Sequence, residues 1–384
     1  MDDQIRGKFN MRSSFTDILV LFGSDSQLEW GRAFQLAQAF NQNGCRIVYV
    51  DLPVRLFSRK KKYSFQKLRH FQTIQPQYGL PIGKLPFLYL LNHYVLFHQI
   101  KSALKTFQFS PHVLWAYTPY QSSILKSLKE HYNPAMTVYD CSDERIGMAK
   151  KAYGEKSAQK VAYEERQIMQ CSDIVFTVST PLQKLKSKFH PRVHHLPNGI
   201  NRLHFNIQLN WECPNEYSGL TGRIILYTGS LEYWLDLKAI TKAAEKYVDD
   251  NFFLVGPQLT DIKILKGFKN IHILGPRPHE EIPQYISHAD LCINPIKPTS
   301  VTNYSDSMKT LQYLAMGKPV LSIDYGHAKD YDGFVILSDS TSDFVEKLGE
   351  IKSEPVYSQR KDDWLRLLDD YSWTAIAKKA MDQL

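Results

Sequence analysis

The chain has 384 residues, too many for one ordinary core and suited to two domains of about 150–200 residues. With 43% hydrophobic and 22% charged residues it has the balance of a soluble globular protein, and no run approaches the ~18 apolar residues that cross a bilayer. Five scattered cysteines (Cys45, Cys141, Cys171, Cys213, Cys292), none in a C-x-x-C pair, argue against a disulfide framework or zinc site and for reduced core thiols in a cytoplasmic protein.

Residues 1–14 read as a loosely held leader; their polar start, Met1-Asp2-Asp3-Gln4, is not that of a signal peptide. Asp17–Phe22 is an apolar run of strand length, followed by the turn Gly23–Ser26. A helix from about Leu28 to Phe40 places Ala33, Leu36, Ala37 and Phe40 on one face, Asn43-Gly44 ends it, and Arg46–Asp51 is the next strand. This β-α-β opening implies a parallel sheet, without the G-x-G-x-x-G of a dinucleotide site.

The net charge of +8 is unevenly placed: Leu52 to Lys129 contains no Asp or Glu but carries Arg55, Arg59, Lys60, Lys61, Lys62, Lys67, Arg69 and further lysines. Aromatics, Phe57, Tyr63, Phe65 and Phe71 among them, interleave with this charge, and Pro86–Phe107 has an aromatic helical pattern. Three readings fit: a solvated basic loop beside a buried helix, a surface resting on anionic lipid, or a single-stranded nucleic-acid site.

Strands follow at Val113–Tyr117, Thr137–Cys141, Asp173–Val178 and Val193–Leu196, with helices near Gln121–His131 and Gly154–Cys171. Pro197–Ile200 is a turn, and Asn210–Thr221, without periodicity, has linker character. A second alternation begins with strand Arg223–Ser230 and continues with helix Leu235–Tyr247 and strands Phe252–Gly256 and Ile271–Gly275. Helix Glu280–His288 and strand Asp290–Asn294 come next. After Val320–Ile323 come strand Gly333–Leu337 and helices at Thr341–Ile351 and from Tyr357 onward. Two doubly wound halves place a ligand at the carboxyl ends of their strands.

Tyr304–Val320 is the most informative stretch. Tyr304–Ser307 are turn formers, Asp306 or Ser307 can cap the helix that follows, Leu311, Leu314 and Ala315 give it one buried face, and Gly317 ends it. The free N–H groups and positive dipole end of its first turn attract an anion, Lys309 adds a charge there, and Gln312 on the same face can bond a sugar hydroxyl. A phosphate with an attached ribose suits this set; a capped surface helix with a solvated lysine is the plain alternative.

Taken in order, Ser179-Thr180-Pro181-Leu182, Leu196–Ile200, Tyr227–Ser230, Phe253–Gly256 and Ala315–Val320 resemble the landmarks of GT-B glycosyltransferases over nearly the whole chain. The resemblance implies an α/β fold of two facing Rossmann-like domains with an interdomain cleft. Residues 1–206 would form the acceptor side, 207–222 a linker, 223–355 the nucleotide-sugar domain, and 356–384 helices crossing back to the first domain. Common retaining group 1 members carry two glutamates where this chain has Tyr304 and Gln312. Ser307-Met308-Lys309 with Gln312-Tyr313 instead resembles the inverting glucuronosyltransferases of xanthan-type exopolysaccharide assembly. By that resemblance Lys309 meets the donor diphosphate and Gln312 the nucleoside, with Met308, Ser307, Tyr304 and the Gly229-Ser230 turn completing the donor site.

Inverting displacement needs a base for the acceptor hydroxyl. Tyr139–Glu144 matches the corresponding stretch of those enzymes, with Asp143 the positional match, Glu144 an alternative and Asp140 structural; Asp143 could equally be a turn or N-cap residue. Such enzymes offset leaving-group charge without a metal. No metal or other cofactor is expected here: the single D-x-D, Asp330–Asp332, lies in a turn-rich loop, where short carboxylate pairs are common. The expectation is a cytoplasmic enzyme, peripheral on the inner face of the cell membrane, moving glucuronate from a UDP-sugar to a lipid-linked glycan. Arg59, Lys60, Lys61, Lys62, Phe65 and Arg69 then form the acceptor and membrane face, and nucleic acid is not a partner. The alternatives are a retaining group 1 enzyme and a silent scaffold that binds glycan or lipid.

Overall fold

The apolar runs become parallel strands, and the segments between them become helices. The structure, a computed structural model, describes residues 16–22, 30–55, 70–78, 86–331, 333–351 and 360–384. Its first elements are β1 (Asp17–Leu21), α1 (Arg32–Gln42), β2 (Arg46–Val50), β3 (Val54–Arg55), β4 (Phe71–Ile74), β5 (Gln77–Tyr78) and α2 (Pro86–Thr106). Then come β6 (Val113–Ala116), α3 (Ser122–Tyr132), β7 (Met136–Cys141), α4 (Arg145–Tyr153), α5 (Glu155–Cys171), β8 (Ile174–Thr177), α6 (Thr180–Lys186) and β9 (Val193–His195). The rest comprises β10 (Ile224–Thr228), α7 (Leu237–Lys246), β11 (Asn251–Val255), β12 (Ile271–Gly275), α8 (Ile282–Ser287), β13 (Leu291–Asn294), α9 (Met308–Ala315), β14 (Val320–Ile323), β15 (Val335–Ser338), α10 (Thr341–Glu350), α11 (Lys361–Asp370) and α12 (Trp373–Met381).

The chain packs as two compact units, residues 1–140 with 164–174 and 384, and residues 141–163 with 175–383. In the first unit the strands run in the order β4-β2-β1-β6-β7, every pairing parallel. All five residues of β1 are buried, as expected where helices cover both faces of a parallel sheet. Asp140 is fully buried at the end of β7, where Arg32 Nη2 pairs with it at 3.0 Å and Trp115 Nε1 donates to it at 3.3 Å. Burial pushes its carboxyl pKa up and the Arg32 guanidinium opposes that shift. It is a structural anchor: removing either partner would strand a buried charge. Among the described residues no helix is long and apolar enough to cross a membrane.

In the second unit the principal sheet has the order β12-β11-β10-β13-β14-β15, again all parallel. Alternate strand residues enter separate cores: Ile225, Tyr227, Phe252 and Leu254 pack with Ile240 and Phe344, while Leu226 and Phe253 pack with Leu311, Leu314 and Trp364. That is the period-2 consequence of a sheet buried on both faces. The sheet order reverses at β10, whose neighbours are β11 on one side and β13 on the other. Such a switch point leaves a crevice at the carboxyl ends of the strands.

The sequence reading missed α4 and α6, and read α11 and α12 as one helix. Ser372 breaks the latter: its hydroxyl accepts from Ala375 N at 3.3 Å and caps α12. The segment read as a linker is largely irregular, but Tyr217 within it is buried against Phe253 and Tyr285.

Candidate active site

The site grows from the carboxyl ends of the central strands. After β10, Gly229 takes φ +129°, a conformation that glycine adopts far more readily than other residues. A Cβ there would lie 1.9 Å from Lys309 Cε, so the lysine chain lies directly across the bare glycine backbone. Gly256, after β11, is equally constrained, since a Cβ on it would meet the Gly229 carbonyl at 2.0 Å. Lys309 comes from α9, which follows β13, and its Nζ stands 5.7 Å from the Tyr227 ring centre. Loops from both sides of the switch point thus meet at this one ammonium group.

Burial lowers the pKa of Lys309 from 10.5 to about 8, with no carboxylate to counter it. Among the described residues Lys309 has no ion-pair partner. A desolvated cation beside the first turn of a helix is an arrangement that attracts anions.

The helix is set up for this. Thr310, Leu311, Tyr313, Leu314 and Ala315 are buried, while Met308, Lys309 and Gln312 remain half-buried on the other face. The Tyr313 hydroxyl receives the Thr228 N–H at 2.8 Å and lies 3.0 Å from Thr228 Oγ1, pinning α9 to the end of β10. Gly317, at φ 69°, ends the helix as expected.

The capping expectation needs correction. Ser307 occupies the N-cap position with φ −89° and ψ 110°, but its side chain makes no cap hydrogen bond. Asp306 does not cap either, because its carboxylate is engaged elsewhere: it accepts from Asn198 N at 2.7 Å and from the Tyr331 hydroxyl at 3.1 Å. Asn198 Nδ2 also donates to the Asp306 carbonyl at 3.0 Å, and Ser179 Oγ donates to the Tyr304 carbonyl at 2.7 Å. Two of the sequence landmarks, at Ser179 and at Asn198-Gly199, therefore work as clamps on the loop ahead of α9. Gly199 is bare because the Trp373 ring of α12 would lie 2.7 Å from a Cβ there. These clamps use none of the first-turn N–H groups of α9, of which that of Thr310 donates to the Ser307 carbonyl at 3.2 Å.

Asp143 lies after β7 in the second unit, with its side chain 43% exposed. Ser142 Oγ donates to its Oδ2 at 2.9 Å, and Arg145 Nη2 stands 3.5 Å from the same oxygen. Glu144 is buried and caps α4 by accepting from Gly147 N, so it is committed to structure. The segment carrying Asp143 packs beside the loops after β10 and β13: a Cβ on Gly147 would come within 3.1 Å of Val301 Cγ2, and Lys151 Nζ stands 5.0 Å from the Tyr233 ring centre.

The structure therefore brings Gly229 and Lys309 into direct contact, with Gln312, Met308, Ser307 and Tyr304 on the same helix and its lead-in loop. Ser230 contributes its carbonyl, which accepts from the Tyr227 hydroxyl at 3.0 Å. Arg59, Lys60, Lys61, Lys62, Phe65 and Arg69 lie outside the described residues. Tyr227, Tyr313, Asp306 and Asn198 were not assigned site roles from the sequence, although Tyr227, Asn198 and Tyr313 each lie in one of its landmark stretches.

Residues 222–353, which contain Gly229, Lys309 and Gln312, match the family described as group 1 glycosyl transferases. The two parallel sheets with their interspersed helices have the GT-B fold, and the match places group 1 glycosyl transferases among the proteins that residues 222–353 resemble. The chain is 26% identical over 288 residues, 70% of each protein, to the putative teichuronic acid biosynthesis glycosyltransferase TuaH of Bacillus subtilis (strain 168). Among solved structures it resembles sucrose-phosphate synthase from Thermosynechococcus elongatus, with a TM-score of 0.69 and 16% identity over 96% of this chain and 98% of that one. It also resembles Anabaena HepE in complex with UDP and glucose, with a TM-score of 0.67 and 15% identity over the same shares.

Proposed function

We propose that this chain transfers a sugar from a uridine diphosphate sugar to a glycan acceptor by metal-independent, inverting displacement. The observation that carries the reading is the desolvated, unpaired Lys309 ammonium against Gly229, at the first turn of α9. A diphosphate supplies the missing counter-charge, with the first-turn N–H groups of α9 bonding the same phosphate and Gln312 meeting the nucleoside. As the glycosidic bond to the diphosphate breaks, the departing negative charge grows where the lysine and helix dipole already stand.

Asp143 takes the proton of the acceptor hydroxyl as the new bond forms. Its exposure leaves an oxygen open to an acceptor, and Arg145 and Ser142 orient it. Glucuronate is the donor sugar we favour; that a relative is named for teichuronic acid biosynthesis supports a uronic-acid sugar. The acid-free basic stretch supports a lipid-linked acceptor at an anionic membrane, with the enzyme cytoplasmic and peripheral on its inner face.

Thermal shift against UDP, UDP-glucose, UDP-glucuronate and GDP-mannose tests the nucleotide. Saturation at a hundredfold over Kd adds about 2.7 kcal/mol of stability. The uridine ligands, UDP-glucuronate above all, should raise Tm; silence towards every uridine ligand would overturn the reading.

A further inference from the structure

Three side chains that the proposed transfer does not use meet beside the donor loop. His195 ends β9, His327 and Asp330 belong to the turn after β14, and one ligand-type atom from each lies within 4.8 Å of the other two. His327 is 1% exposed. Its Nδ1 stands 2.6 Å from Asp330 Oδ2, yet off the line of a ring N–H, so this buried nitrogen makes no hydrogen bond. Leaving such an atom unsatisfied is costly, and its nearest company is a carboxylate and a second imidazole whose ring centre is 5.0 Å away.

Both rings are also held from outside. His195 Nε2 is 3.2 Å from the Val178 carbonyl, and the Tyr371 hydroxyl is 3.5 Å from His327 Nε2. A carbonyl only accepts, so His195 carries its proton on Nε2 and keeps a lone pair on the other nitrogen when neutral. Imidazoles anchored through one nitrogen, with the other unprotonated, are how proteins present metal ligands.

We propose that His195, His327 and Asp330 form a zinc site that fastens the loop ahead of the donor helix. Two ring nitrogens and one carboxylate, with a fourth position for water, suit zinc, whereas magnesium and calcium favour all-oxygen shells. Zinc–ligand bonds of about 2.0–2.1 Å in a tetrahedron put ligand atoms roughly 3.3 Å apart. The His327–Asp330 contact must then open by under about 1 Å, and Asp330, 37% exposed, has room to give.

The same turn reaches the donor loop twice. His327 N donates to the Ser305 carbonyl at 3.1 Å, and the Tyr331 hydroxyl donates to Asp306 at 3.1 Å. Fixing residues 327–331 therefore fixes the two residues before the N-cap of α9. The ion is a fastening, separate from the donor phosphate, so the transfer itself still needs no metal.

Chelator-treated full-length protein, dialysed against micromolar zinc chloride, should retain about one zinc per chain by elemental analysis. Zinc should raise its Tm by several degrees, while millimolar magnesium chloride leaves it unchanged. Asp330→Asn and His195→Gln, both at positions open enough to tolerate the change, should each cut zinc uptake at least about tenfold with unchanged circular dichroism. Uptake well below one zinc per chain in the parent protein would overturn the proposal. So would uptake unaffected by both substitutions, which would place the ion elsewhere, the His204–His279 pair included, where the two ring nitrogens are 3.1 Å apart.

Discussion

Lys309→Met exchanges a buried ammonium for an apolar side chain of similar length, and its two effects should have opposite signs. Burial pulls the lysine from 10.5 to about 8. At 1.36 kcal/mol per pKa unit that is about 3 kcal/mol, an upper bound on what the unliganded fold gives up to keep the charge. Between about pH 8 and 10.5 the unfolded chain holds a proton that the folded one has released, so the parent protein gains stability as pH rises through that window; below pH 8 the full cost is present. At pH 7 the Met variant should therefore melt higher than the parent by several degrees, at about 2–4 °C per kcal/mol for a body of this size. Towards pH 10.5 the difference should vanish. UDP binding moves the other way: losing a charge-assisted bond of about 1.5–3 kcal/mol weakens Kd roughly 10- to 150-fold. Melting curves at pH 7 and pH 10, with and without UDP, read both effects. A Met variant less stable than its parent at pH 7 without ligand, or one that keeps the full UDP response, would refute the reasoning.

Gly229→Ala puts a Cβ 1.9 Å from Lys309 Cε at a φ of +129°, so the lysine must move, and UDP binding measured by calorimetry should fall at least tenfold. Tyr313→Phe strips the partner from the buried Thr228 N–H and should lower unfolding stability in urea by about 1–3 kcal/mol. Asp143→Asn should cut turnover about 10²- to 10⁴-fold in a UDP-release assay while leaving the UDP-induced thermal shift intact. Glu144→Gln is the control: it weakens the α4 cap by about 1 kcal/mol or less and keeps turnover, because Glu144 serves structure.

Strands were the most legible part of this chain. The central strands are covered on both faces, so runs such as Asn251–Val255 and Val320–Ile323 are bounded apolar blocks that turn residues delimit. Helix α9 was legible for the same reason: its buried face is periodic and Gly317 closes it. Helix α4 was not, because Ala149 is its one fully buried residue and there is little apolar rhythm to read. Helix α6 did carry a signal, Ser179 as cap with Pro181 in the first turn, but its seven residues were taken only as a landmark. What periodicity cannot carry is contact between residues far apart in sequence. Asp306 reads locally as a cap, yet Asn198, 108 residues earlier, takes its carboxylate. His195 and His327 show no ligand spacing along the chain, and only the fold sets their rings 5.0 Å apart.

The most direct measurement is a crystal structure of the protein soaked with UDP. Diphosphate oxygens are predicted within about 2.7–3.2 Å of Lys309 Nζ and of the first backbone N–H groups of α9, with the uridine towards Gln312. UDP seated away from the carboxyl end of β10, with Lys309 untouched, would contradict the account.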